Sequence, residues 1–90
     1  MRITETDGWM PVITTLAVIE GRECVTLLSL DEEGDWVALG DSEPADDDLD
    51  ALSVEELLAM DASLADAPDL QPGQCAVRDG LQSPWTIEEE

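Results

Sequence analysis

Histidine, lysine, tyrosine and phenylalanine are all missing from this chain of 90 residues, and its only cationic side chains are Arg2, Arg22 and Arg78. Without histidine, general acid–base work falls to carboxylates, and a metal site loses its commonest nitrogen ligand. A glycosidase can run on two carboxylates, but it needs a cleft that separates their pKa values, and a chain this short has little room for one. No phosphate-cradling loop and no nucleophile paired with a base is present. The expectation is a protein that is not an enzyme and carries no cofactor.

The cysteines are as sparse. Cys24 and Cys75 cannot furnish a zinc tetrad, and their apolar settings predict small core thiols rather than a disulfide. Phosphate contacts need cations, so three arginines and no lysine exclude direct nucleic-acid binding. The longest largely apolar stretch runs from Val12 to Ile19, far short of the roughly 20 residues that span a bilayer. A negative surface is also repelled by anionic lipid. The N-terminus lacks the basic start and apolar core of a signal peptide, which predicts a cytoplasmic protein without membrane association.

What the chain has in excess is acid: 23 Asp and Glu residues give a formal net charge of -20. Ten of them lie between Asp31 and Asp50. The hydrophobic content of 43% is that of a folding chain rather than a disordered one. Residues 1–90 therefore read as one acidic domain, with an N-terminal arm at 1–10, an exposed acidic loop at 41–52 and an acidic tail at 88–90.

The β-branched run from Val12 to Ile19, the turn Glu20-Gly21-Arg22 and the run from Glu23 to Leu30 predict a β-hairpin. Neither run alternates cleanly, which implies partial cover on both faces. The punctuation Asp31-Glu32-Glu33-Gly34-Asp35 leads into a short third strand, Trp36 to Leu39, completing a three-strand antiparallel meander. Ser53-Val54-Glu55-Glu56 has the capping-box pattern, and Val54, Leu57 and Leu58 recur at helical spacing. A second short turn fits 62–67. Extended segments follow at Gln74 to Arg78 and Trp85 to Ile87, beyond the breakers Pro68, Pro72-Gly73 and Asp79-Gly80. The fold class is α+β: a small antiparallel sheet of about five strands with one helix packed on one face.

The alternating Asp46, Asp48 and Asp50 invite a calcium loop, but Ala51 stands where the sharp turn needs glycine and Leu57 where the bidentate glutamate belongs. No metal site is expected. The acids are better suited to a basic protein, whose phosphate-gripping groove an array of carboxylates can occupy. The candidate contact surface is Asp31, Glu32, Glu33, Asp35, Asp41, Glu43, Asp46, Asp47, Asp48 and Asp50. Trp9 is a candidate anchor, while Trp36 and Trp85 are expected in the core.

In the order of its motifs the chain resembles the bacterial immunity protein 33 domain family. The resemblance spans Val18 to Ile87. It rests on Glu20-Gly21-Arg22, on Asp35-Trp36 opening a strand that ends Leu39-Gly40-Asp41, and on the acids up to Asp50. It continues through Ser53-Val54-Glu55-Glu56-Leu57-Leu58, Asp61-Ala62-Ser63-Leu64, Pro72-Gly73, Arg78 and Trp85. It implies a protein that neutralises a toxin, some such toxins being nucleases, and it implies no catalytic residue. Two other readings fit the composition. One is a phage or mobile-element DNA mimic that antagonises host nucleic-acid enzymes, as anti-restriction and anti-CRISPR proteins do. The other is a structural or regulatory domain whose acidity serves solubility or a salty environment.

Overall fold

The computed structural model describes residues 2–40, 49–80 and 83–89. The chain folds as α+β, with one principal helix on a six-stranded, mostly antiparallel sheet. The strands are β1 (Pro11–Thr15), β2 (Leu27–Leu30), β3 (Trp36–Leu39), β4 (Leu49–Ser53), β5 (Gln74–Val77) and β6 (Thr86–Glu89). The helices are the single turn α1 (Leu16–Ile19) and α2 (Val54–Met60), with 3-10 turns at Ile3–Glu5 and Ala62–Asp66.

The sheet order is β4-β1-β3-β2-β5-β6, and β1 runs parallel to β3 while all other neighbours are antiparallel. The hairpin expected around Glu20-Gly21-Arg22 is therefore not formed. Thr15 ends β1 instead, its Oγ1 accepting from the Val18 amide at 3.2 Å and capping the single turn α1. Gly21 then turns at φ 79°, and the chain crosses to β2 on the far side of β3. Of the expected meander only the β2–β3 hairpin stands.

The acidic loop expected at 41–52 does not include its last four residues, because residues 49–53 form β4 along the free edge of β1, and the rest of that segment lies outside the described residues. Apolar Leu52 packs against the core and the pairing Val12↔Leu52 satisfies backbone groups that a loop would leave to water. The expected tail at 88–90 is likewise partly strand, with Glu88 opposite Cys75. At the other terminus the segment read as an arm is docked. Ile3 is buried, and Thr6 Oγ1 accepts from the Trp36 indole Nε1 at 2.9 Å.

The helix prediction holds in detail. Ser53 Oγ accepts from the Glu56 amide at 3.1 Å, the Glu56 carboxylate returns to the Ser53 amide, and Glu55 and Glu56 sit at the positive end of the helix dipole. Val54 and Leu57 are buried from α2 against Val12, Leu28, Leu30, Trp36, Ala38 and Ala76 of the sheet, and Leu64 and Leu70 complete the layer. Cys24 and Cys75 are not joined in a disulfide, and both are partly rather than fully buried.

Candidate interaction surface

The β2–β3 turn holds four of the predicted acids. Asp31 Oδ1 accepts from the amides of Glu33 at 2.9 Å and Asp35 at 2.8 Å, and the Asp31 amide donates to the Asp35 carbonyl at 2.9 Å. Gly34, at φ 90°, supplies the left-handed residue that closes this turn. The result brings carboxylate oxygens of Asp31, Glu33 and Asp35 within 4.8 Å of one another. Glu32, Glu33 and Asp35 are exposed and Asp31 is half-buried. Like charges at this spacing repel, and an incoming cationic side chain relieves that repulsion. A surface groove of about 450 Å³ lies beside the turn, walled by Asp31, Glu32, Gln71 and Gln74.

Asp50 lies elsewhere. It is exposed on β4, where its carboxylate accepts from the Ala51 amide at 2.8 Å. The predicted Asp41, Glu43, Asp46, Asp47 and Asp48 fall outside the described residues. Among the described acids, β3 separates those of the 31–35 turn from Asp50. From Asp35 to Gly40 the chain is extended and advances roughly 17 Å at about 3.3 Å per residue. The 31–35 turn thus marks one end of the sheet, and Gly40, Leu49 and Asp50 mark the other. At that second end the backbone of Gly40 lies close to its neighbours: a Cβ there would stand 3.0 Å from Glu23 Cβ and 3.2 Å from the Cys24 carbonyl oxygen, so a larger residue would push them apart.

Trp9 is 72% exposed, as an anchor requires. Its backbone is nonetheless held. The Val54 amide donates to the Met10 carbonyl at 2.9 Å and the Glu55 amide to the Gly8 carbonyl at 3.0 Å, so the first turn of α2 fixes the segment. The register Val12↔Trp36 and Pro11↔Ser53 puts Trp9 at the same end of the sheet as the 31–35 turn.

Two features were not legible as sites. Arg78 is buried, and each nitrogen of its guanidinium donates a bond: Nε to the Val25 carbonyl at 2.9 Å, Nη1 to Ser63 Oγ at 2.8 Å and Nη2 to Asp61 Oδ2 at 3.2 Å. It also stacks 4.3 Å from the Trp85 ring centroid. Asp61 in turn accepts from the Ser63 amide and hydroxyl. Only Arg2 and Arg22 are left at the surface, the latter paired with Glu20 at 3.2 Å. The second feature is the sheet face opposite α2. The register brings Ile13, Leu27, Val37, Leu39 and Val77 to that side, where Ile13 is 40% exposed and the other four are partly exposed. The imperfect alternation of 12–19 and 23–30 was its only trace in the sequence.

Among the described residues no helix is long and apolar enough to cross a membrane. Comparison with family models, with curated proteins and with solved structures finds no match to this chain.

Proposed function

We propose that this chain is a stoichiometric, non-enzymatic binding protein of the immunity type, which neutralises a basic partner by covering its cationic groove, as a nuclease toxin would present. The observation that carries the reading is the self-supporting acidic turn at 31–35. Its backbone is fixed by four hydrogen bonds through Asp31, so the turn that bears the carboxylates has its shape before a partner arrives. Ordering that backbone on binding then costs little conformational entropy. With a net charge of -20 and two exposed arginines, the field around the molecule steers cations and repels polyanions. Trp9, at the same end on a backbone tied to α2 through Gly8 and Met10, offers the desolvated contact that charge alone does not supply.

The test is capture of host proteins on the immobilised chain, compared with a variant carrying Asp31→Lys, Glu33→Lys and Asp35→Lys. A basic protein retained at low salt, released as salt rises and lost with the variant is the expected result. Retention that ignores both salt and charge reversal overturns the reading. Whether the captured protein is a toxin or a host nucleic-acid enzyme separates immunity from mobile-element antagonism.

A further inference from the structure

A sheet with one face on the core and one in water carries polar residues on the outer face. This one does not. Opposite α2, the paired row Ala51, Ile13, Val37, Ser29, Cys75 and Glu88 crosses all six strands, and Leu27, Leu39 and Val77 lie beside it. Exposure of Ile13, and partial exposure of Val37, Leu27, Leu39 and Val77, leaves an apolar floor open to solvent. Such a face calls for another layer.

Three occupants compete, and charge chooses among them. The eight residues 41–48 contain only Pro44 and Ala45 as apolar side chains against five acids, so their chemistry does not match the floor. A second copy would bring -20 against -20. A partner with cations at both ends of an apolar stripe meets no such obstacle. Asp31, Glu32, Glu33 and Asp35 stand at one end of the strands, Asp79 at the other and Glu88 on the flank, while Asp50, opposite Thr14, lies on the α2 side. The roughly 17 Å between those ends equals about three turns of helix at 1.5 Å per residue.

We infer that the open face of the sheet is the docking surface for a cationic amphipathic helix of the partner, laid along the strands over Ile13, Val37, Leu39, Leu27 and Val77. The basic character of that partner rests on the function proposed above. The apolar floor supplies durable contact area, and the acids at its ends fix the helix in register. The arrangement mirrors the opposite side, where α2 already covers the sheet.

The probe is a synthetic leucine–lysine peptide of about 14 residues with leucines at helical spacing, titrated into the isotopically labelled full-length chain. A scrambled peptide of the same composition and an oligolysine of equal charge are the controls. The amphipathic peptide is expected to shift the amides of Ile13, Leu27, Val37, Leu39 and Val77 and to bind about tenfold more tightly than either control. The double variant Ile13→Thr, Val37→Thr preserves β-branching and hence the strands, and it should weaken the amphipathic peptide about tenfold while leaving oligolysine unchanged. The lysine variant at 31, 33 and 35 should weaken all three. Equal binding of the controls, shifts confined to residues 31–35, or a dimer that buries this face would each overturn the inference. If the threonine variant is inert while the lysine variant weakens every peptide, the docking face falls and the charge reading stands. If the lysine variant also changes nothing, both fall.

Discussion

The two faces of the sheet carry side chains of the same kind but in different surroundings. Toward α2, Leu28, Leu30, Trp36 and Ala38 are at most 2% exposed, and the layer is locked by Arg78, which ties β5 to the 3-10 turn through Ser63 and Asp61. On the far side Leu27, Val37 and Leu39, their immediate neighbours in sequence, face water. Adjacent residues on one strand therefore differ in whether they hold the fold together or wait for something else to cover them. Composition cannot make that distinction; only the pleat and the position of α2 can.

Substitutions on the two sides should break this symmetry of composition. Trp36→Ala removes the largest buried side chain together with its bond to Thr6, and should cost about 3–5 kcal/mol in denaturant unfolding. Asp61→Ala leaves the buried Arg78 guanidinium without its counter-charge and should destabilise by about 3 kcal/mol or more, with a lowered Tm. Asp61→Asn should recover part of that loss by keeping a hydrogen-bond acceptor. Ser53→Ala removes the cap of α2 and should cost about 1 kcal/mol by the same measurement. Smallest of all, Val37→Thr on the open face should change stability by no more than about 0.5 kcal/mol. If Val37→Thr proves as damaging as Trp36→Ala, the far face is a core and not a surface.

The parts of the fold that were legible are local. The capping box at Ser53 needs four consecutive residues, and the acidic turn needs five, so both could be read directly. Pairing is not local. Nothing in residues 12–19 says that their neighbours will be 36–37 on one side and 49–53 on the other, and the turn at Gly21 looks the same after a helical turn as inside a hairpin. The candidate site suffered from the same blindness. Acids from Asp31 to Asp50 look like one patch along the chain, yet the extended backbone of Trp36–Leu39 separates the 31–35 turn from Asp50, at the opposite end of the sheet. Arg78 was visible as a strand residue, but its partners come from Val25, Asp61 and Ser63, which no spacing rule connects to it.

The position of β1 has a kinetic consequence. Val12 is flanked by Trp36 on one side and Leu52 on the other, so β1 waits for residues about 40 positions later before both its edges are paired. Closing those long loops before any reward is collected places this chain among the slower folders of its size, in milliseconds or longer rather than microseconds. On the ribosome, β1 has no complete berth until Ser53 has emerged. During that interval an apolar strand is guarded only by the acids already synthesised around it, whose mutual repulsion keeps neighbouring nascent chains apart.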